Sequence, residues 1–417
     1  MRAGAVHRYD EGVLVTVTTS RNENNASQPL KVSKRSAMPP FMALDVMIEA
    51  SEMQAAGHDV IHLEIGQPST PAPRGVRMRA QAELDNISAH GYSLAFGEPE
   101  LRTAISSHYD RWYGLTPPVS NIAVTVGSST AFAIAFMAAF DEGDVIALPT
   151  PCYPAYRNLM LGMGLTPKFV AAGAEQGWKP DLKEMESWDR LPDGLMIASP
   201  SNPTGTVLSA SELEEICQWC SQHGVRLISD EIYHGLVFDG RAETALTYTA
   251  DAIIISSFSK YFSMTGWRIG WMILPDDLVE PAQRLAQNLF ISAPTLNQRA
   301  CIAAFDCDDE LEHHKQRYAS NRATLLAGLP QAMTERAAPC NGAFYLYADV
   351  SAFTDNAIEF ASRLLAEEAV ATTPGVDFDP LGGHHYLRLS FAGSDADMHE
   401  AVRRISRFIS RLKHNAA

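Results

Sequence analysis

Short β-rich hydrophobic runs alternate with longer helical patterns in the middle of the chain, from about residue 120 to residue 290. The predicted strands are Ile122–Val126, Asp144–Leu148, Thr166–Val170, Gly194–Ala198, Val225–Ser229, Ala252–Ser256 and Gly270–Ile273. The predicted helices between them are Thr130–Phe140, Tyr153–Gly162, Ser209–His223 and Pro281–Phe290. Alternation of this kind predicts an α/β fold built on a mostly parallel sheet.

The pattern differs on both sides of this region. Upstream, Ala43–Ala56 has helical spacing, and Val60–Ile65 has the pattern of a strand that ends at the turn 66–68. From Asp308 onward, the predicted elements are helices at Asp308–Leu326, Asn356–Glu367 and Asp395–Lys413 and strands around Gly342–Ala348 and Tyr386–Ser390. The C-terminal part is therefore predicted to form a separate, smaller α+β layer.

These patterns divide the chain into four parts. We expect an N-terminal extension (1–35), a segment that contributes to the small domain (36–75), a large domain (76–305) and a small C-terminal domain (306–417). The extension has six basic and three acidic residues, and only Val13–Val17 has the pattern of a strand. We expect it to be poorly ordered or to pack on a partner. A misassigned start of translation would look the same.

The charge balance excludes some partners. Among 417 residues, 33 are Lys or Arg and 49 are Asp or Glu, which gives a net charge of −16. A general nucleic-acid binder or a protein that binds anionic membranes is therefore not expected. The longest uncharged run, 112–140, is interrupted by Pro117-Pro118 and by 127–130, so it is too short to span a bilayer.

The cysteines favour a reducing compartment. Six Cys are too few for a disulfide framework in a chain of this length, and no secretory hydrophobic segment opens the sequence, so we expect a cytoplasmic protein. The one CxxC motif, Cys217–Cys220, lacks a second pair of metal ligands, so no metal site is expected.

Polar loops follow several of the predicted strands. Gly127-Ser128-Ser129-Thr130 opens a helix, where free amides and the positive helix end favour a phosphate. A dinucleotide site is disfavoured, because the one GxG motif, 162–164, ends a helix instead of opening one. No GxxxxGK[ST] motif is present, which disfavours a nucleoside triphosphate site.

Three further loops carry a denser set of functional groups. Ser199–Gly205, Asp230–Tyr233 and Ser257–Lys260 each follow a predicted strand, and Arg268 lies eight residues beyond Lys260. Ligands of open parallel sheets collect beyond the carboxyl ends of the strands. An amide, an acid, a phenol and a lysine are therefore expected to converge at one edge.

These motifs closely resemble those of the class I/II, fold-type I aminotransferases, which use pyridoxal 5′-phosphate. The most specific motifs are SPSNPTG (199–205), DEIY (230–233), SFSKYFSMTGWRIG (257–270) and YLRLSF (386–391). They occur in consistent order, and the resemblance runs from about residue 36 to the C-terminus. It implies the fold of type I transferases, in which a large domain with a mostly parallel sheet flanked by helices is joined to a smaller α+β domain.

The resemblance implies catalytic roles for three residues. Lys260 would form the Schiff base with the cofactor and would afterwards carry the proton between the substrate Cα and C4′. Asp230 would pair with the pyridinium nitrogen. Tyr233, together with Asn202, would hydrogen-bond the ring oxygen O3′.

The resemblance also implies further cofactor contacts. Tyr153 would stack on the ring. The phosphate would be held by Ser128, Ser129, Ser257 and Arg268. Tyr92 matches a tyrosine that reaches the phosphate of the neighbouring subunit, so a homodimer is expected.

The substrate carboxylate is expected at Arg388. A guanidinium in an otherwise apolar strand needs a partner, and a bidentate carboxylate fits it. By resemblance, the backbone of Gly66 and the amide of Asn202 would also contact the substrate.

The activity implied is ping-pong transfer of an amino group from an α-amino acid to a 2-oxo acid. A carbon–sulfur β-lyase on the same fold is the alternative, because both reactions share a Cα carbanion. A non-catalytic sensor domain is more remote, since 35 preceding residues cannot hold a winged helix.

The stretch 291–297 has no Arg and 129–131 has no Lys to bind an acidic substrate side chain. Phe41 and Met42 favour neutral, aromatic or aliphatic donors.

Overall fold

A seven-stranded sheet forms the centre of the computed structural model, which describes residues 30–415. The strands of this sheet and of two smaller sheets are β1 (Ile61–His62), β2 (Ile122–Thr125), β3 (Val145–Thr150), β4 (Thr166–Ala171), β5 (Gly194–Ala198), β6 (Arg226–Asp230), β7 (Ile253–Ser257), β8 (Gly270–Ile273), β9 (Tyr345–Asp349), β10 (Val370–Ala371), β11 (Thr373–Pro374) and β12 (Tyr386–Ser390). The α-helices are α1 (Met42–Ala55), α2 (Arg74–Leu84), α3 (Pro99–Tyr113), α4 (Gly127–Ala139), α5 (Pro154–Met163), α6 (Leu182–Glu186), α7 (Ala210–His223), α8 (Asp276–Leu289), α9 (Thr295–Ile302), α10 (Asp308–Gly328), α11 (Gln331–Thr334), α12 (Ala357–Glu368) and α13 (Asp395–Asn415).

The strand order of this sheet is β2-β8-β7-β6-β5-β3-β4. Strand β8 runs antiparallel to β2 and β7, and the other pairs are parallel. Parallel register pairs Ala198 with Asp230, and Asp230 with Ile255, so β5, β6 and β7 end at one edge. The prediction of an α/β fold with a mostly parallel sheet is confirmed.

Helices cover both faces of the sheet, which explains why its central strands β5, β6 and β7 are buried along almost their whole length. In β7, Ile253 and Ile255 pack into a hydrophobic cluster that includes residues of α4, α5 and α8. The alternate residue Ile254 packs into the cluster on the opposite face, with residues of α3, α7 and α9. The sheet is thus the middle of three layers.

A smaller group of strands lies toward the C-terminus. Strands β11, β12 and β9 form an antiparallel sheet, in which Arg388 of β12 pairs with Tyr347 on one side and Thr373 on the other. Strand β1, from the N-terminal segment, pairs in parallel with β10. The domain boundaries at 75/76 and 305/306 stay a prediction, and α2 crosses the first of them.

Three helices of eight or more residues are not predicted by the sequence pattern: α2, α3 and α9. Helix α2 buries only Val76 and Glu83, so it carries no continuous apolar stripe. The buried face of α3 includes Ser106 and His108, which interrupt the hydrophobic periodicity. The sequence pattern predicts that α8 starts at Pro281. In the structure α8 begins five residues earlier, at Asp276, and accommodates Pro281 inside the helix.

Two other expectations concern the chain ends and the membrane. The predicted strand Val13–Val17 lies outside the described residues. Within residues 30–415, none of the helices has both the length and the apolar character that crossing a bilayer would require.

Candidate active site

A cavity of about 510 Å³ lies at the carboxyl edge of the large sheet and extends to β12. The residues predicted from the sequence that line it are Gly66, Ser128, Ser129, Tyr153, Asn202, Asp230, Tyr233, Lys260, Arg268 and Arg388. They come from the loops after β1, β3, β5, β6 and β7, from the first turn of α4, from the end of β6, from the loop before β8 and from β12. The parallel strand order brings these groups, distant in sequence, to one place.

Lys260 is held in the cavity by the turn after β1. Its Nζ donates a hydrogen bond to the carbonyl oxygen of Gly66 at 2.7 Å. Burial, with the nearby positive charges of Arg388 and Arg268, lowers the pKa of the Lys260 amine to about 8. A substantial fraction of the amine is therefore neutral near pH 8, and the neutral amine is the nucleophilic form.

Asp230, the last residue of β6, is buried at the cavity wall. Burial raises the pKa of this carboxyl group to about 6, against the hydrogen bonds that favour its ionised form. The hydroxyl of Tyr156 donates to Oδ2, and the amide of Ile232 donates to Oδ1 at 3.1 Å. A protonated ring nitrogen would match this buried acid, because the positive charge would stabilise the carboxylate.

Tyr156 is a cavity residue that the sequence analysis missed. It lies one helical turn after Tyr153 in the Tyr-Pro-x-Tyr segment that starts α5, so both side chains reach the same face. Their rings make an edge contact, with centroids 5.3 Å apart. The spacing of three residues is the signal that would have found it.

A candidate anion site lies where α4 begins. Val126, which precedes the helix, has no side-chain acceptor for the first amides, and Ser128 and Ser129 lie in the first turn. A Cβ atom at Gly127, where φ is +68°, would lie 2.3 Å from Nη2 of Arg268. The glycine therefore leaves room for the guanidinium beside the helix end, and this set of donors fits a phosphate.

Arg388 projects from β12 between two aromatic rings. The guanidinium carbon lies 4.5 Å from the ring centroid of Tyr345 and 4.6 Å from that of Phe378. Nη1 donates to Oδ1 of Asn202 at 3.1 Å, and Nη2 donates to the carbonyl of Glu64. Among the described residues the buried Nε has no hydrogen-bond partner. A carboxylate is a suitable ligand for this cation.

Tyr233 and Tyr345 contact each other beside Arg388 in the cavity wall. Their hydroxyl oxygens are 2.7 Å apart. Tyr345 also lies against the turn after β1, where a Cβ atom at Gly66 would stand 1.7 Å from the Tyr345 hydroxyl oxygen. Only glycine fits there.

Two predicted cofactor residues do not line the cavity. The hydroxyl of Ser257 accepts a hydrogen bond from the amide of Ser259 at 3.1 Å, which turns it into the loop, and Ser259 lines the wall instead. Tyr92 is 81% exposed on the surface. At the mouth, Phe41 and Leu44 line the cavity and Met42 does not.

Replacing Gly127 with alanine is expected to displace Arg268, because the new Cβ would overlap its guanidinium. Loss of one charge-assisted hydrogen bond predicts an affinity for pyridoxal phosphate weaker by roughly 10- to 100-fold. Equilibrium dialysis of the apoprotein measures it. Gly240→Ala is the matched control, since φ is +77° there but no atom lies within 4 Å of the new Cβ. Unchanged affinity in Gly127→Ala would contradict the geometry.

The lowered pKa of Lys260 predicts the pH dependence of its reaction with pyridoxal phosphate. Attachment is expected to accelerate as the pH rises, with a midpoint near 8, because only the neutral amine attacks. Borohydride trapping and peptide mass spectrometry measure attachment at Lys260, and exposed Lys183 reports background labelling. A midpoint above about 10, as in an unperturbed lysine, would be inconsistent with this environment.

Comparison with known proteins gives a consistent result. The family described as aminotransferase class I and II matches residues 58–405. The chain is 42% identical over 383 residues to valine–pyruvate aminotransferase of Mycobacterium tuberculosis, covering 91% of this chain and 98% of that protein.

Two solved structures share the fold. An aminotransferase from Mycobacterium tuberculosis has a TM-score of 0.89 at 42% identity, covering 92% of this chain and 100% of the other. Aspartate aminotransferase from Thermus thermophilus, solved with maleate, has a TM-score of 0.85 at 29% identity, covering 91% and 100%. The predicted fold type is confirmed, and the chain belongs to the class I and II aminotransferases, the pyridoxal phosphate-dependent enzymes to which its motifs and its cavity had pointed.

Proposed function

We propose that this aminotransferase takes the amino group from an apolar α-amino acid and passes it to a 2-oxo acid. The observation that carries the proposal is the placement of Lys260 in one cavity between a phosphate-type site at α4 and the buried cation Arg388. A cofactor phosphate and a substrate carboxylate can then be bound at the two ends, with the amine between them.

The proposed cofactor contacts follow from the positions of the donors. Bound pyridoxal phosphate supplies a ring that withdraws electrons from the substrate Cα. The first turn of α4 and Arg268 hold its phosphate, and Asp230 holds its ring nitrogen. Tyr153 covers a ring face, and Tyr233 donates to O3′, with Asn202 beside it.

Substrate binding and proton transfer are assigned to three groups. Arg388 takes the α-carboxylate through a paired, charge-assisted contact, and Gly66 leaves backbone space beside it. Lys260 removes and returns the proton at the substrate Cα, a role that its low pKa suits at neutral to mildly alkaline pH.

The donor class is inferred from the remaining walls. Among the described residues that line the cavity, the only Lys and Arg side chains are Lys260, Arg268 and Arg388, and each already has a proposed role. Phe41 and Leu44 supply apolar surface at the mouth. A second carboxylate in the substrate would find no dedicated cation. The 42% identical relative is named for valine and pyruvate, which supports an aliphatic donor.

Valine and leucine are expected to be better donors than aspartate. A distal carboxylate placed against apolar walls without a cation loses hydration, which predicts a kcat/KM for aspartate lower by at least about 100-fold. Stopped-flow absorption of the bound cofactor after mixing with each amino acid measures the half-reaction. Aspartate as the fastest donor would refute the apolar assignment.

The enzyme with bound cofactor also allows the alternative activities to be distinguished. A carbon–sulfur β-lyase would release pyruvate and ammonia from cystathionine without a 2-oxo acid, and a sensor domain would bind donors without turnover. We expect strict, stoichiometric dependence of product on the 2-oxo acid.

We also propose a homodimer in which Tyr92 reaches the partner's phosphate site. Tyr92 is highly exposed and is accompanied by the exposed apolar side chains of Leu84, Ile87 and Leu94. An exposed apolar group of this kind is typical of an interface.

A cytoplasmic location is supported by the six cysteines, all of which are free thiols.

Mixing inactive variants tests the shared site. Tyr92→Ala and Lys260→Ala subunits, unfolded and refolded together, are expected to regain activity, because a hybrid dimer contains one site with both residues intact. Random pairing predicts roughly a quarter of the wild-type activity. No recovery, with hybrid dimers verified by native mass spectrometry, would show that Tyr92 does not act across the interface.

A further inference from the structure

Tyr345 contacts both the cofactor side and the carboxylate side of the cavity, although no sequence motif singles it out. It lies on β9 and is 1% exposed. Its hydroxyl oxygen is 2.7 Å from that of Tyr233, and its ring lies under the guanidinium of Arg388. It is also the side chain that a Cβ at Gly66 would strike.

The direction of the hydrogen bond between the two phenols decides what Tyr345 can do. If Tyr233 donates to Tyr345, the hydroxyl proton of Tyr233 is engaged in that bond and cannot be donated to a ligand in the cavity. Burial raises the pKa of both hydroxyls, but that of Tyr345 less than that of Tyr233, and the cation of Arg388, 4.5 Å from the ring centroid of Tyr345, opposes the rise there. The more acidic of two phenols is the better donor. Tyr345 therefore donates, and the proton of Tyr233 is free to point into the cavity.

We propose that Tyr345 is a positioning residue that donates to Tyr233 and so directs the hydroxyl proton of Tyr233 toward O3′ of pyridoxal phosphate. The proposal rests on the role of Tyr233 under the proposed function. A chain of two donors polarises each bond, so Tyr233 becomes a stronger donor when Tyr345 is present. Negative charge on O3′ would then be better stabilised, and the Lys260 nitrogen, when bonded to the cofactor, would lose its proton at lower pH.

Tyr345→Phe tests this with little change in shape, because the ring stays under Arg388 and beside Gly66 and only the hydroxyl is lost. The visible absorption of pyridoxal phosphate bound at Lys260 is titrated with pH. With negative charge on O3′ less stabilised, the Lys260 nitrogen bonded to the cofactor would keep its proton to higher pH. The transition is therefore expected to move upward by roughly half to one pH unit, the effect of about one neutral hydrogen bond. An unchanged transition overturns the proposal.

Tyr347→Phe is the matched control. Tyr347 lies two residues further along β9, is equally buried, and donates to the carbonyl of Gly375 at 3.4 Å, but it does not line the cavity. Its variant is expected to titrate like the wild type. A shift as large as that of Tyr345→Phe would assign the effect to general loosening of the strand, which also overturns the proposal.

A double variant shows whether Tyr345 acts through Tyr233. Tyr233→Phe is expected to raise the transition further than Tyr345→Phe, and adding Tyr345→Phe to it is expected to cause no additional shift. An additive shift, or no shift in Tyr233→Phe, overturns the proposal. Failure of the proposed cofactor site, on which this inference rests, would look different, because the wild type would then show no visible band with pyridoxal phosphate.

Discussion

Parallel pairing of the central strands is the constraint on which the site depends. Since β5, β6 and β7 run in one direction and in register, the loops that follow them must leave the same edge of the sheet. Asp230 and Lys260 are 30 residues apart in the sequence, yet they lie at the same edge because Asp230 ends β6 and Lys260 follows the end of β7. The strand topology therefore determines which loops meet at the cavity, and the local sequence of each loop determines which functional group it contributes.

Local charge placement then overrides the acidity of the whole chain. The net charge is −16, but the cavity has three cationic side chains and a helix N-terminus. Burial moves the pKa of Asp230 up to about 6 and that of Lys260 down to about 8. The acid and the amine are thereby brought closer in proton affinity than they would be in water, which suits a site that must hold and move protons near neutral pH.

Sequence reasoning predicted much of the fold and about half of the cavity lining for identifiable reasons. Most strands of the large sheet contain a short apolar run, and the loop residues after them carry unusual chemistry, so both stand out. Tyr156 and Tyr345 do not stand out, because their roles depend on hydrogen bonds to partners 74 and 112 residues away. Ser257 illustrates the opposite error, since motif position alone cannot tell which of two neighbouring serines turns toward the cavity and which caps the loop.

The contact between Arg388 and Asn202 has a consequence for how the protein folds. Arg388 belongs to the small antiparallel sheet, whereas Asn202 lies in the loop after β5 of the large sheet, and the two side chains join at 3.1 Å. A chain in which only the large sheet had formed would present the phosphate donors and the ring acid but not the arginine. If Arg388 binds the substrate carboxylate as proposed, the ability to tell an amino acid from a simple amine would therefore require that the two sheets have docked.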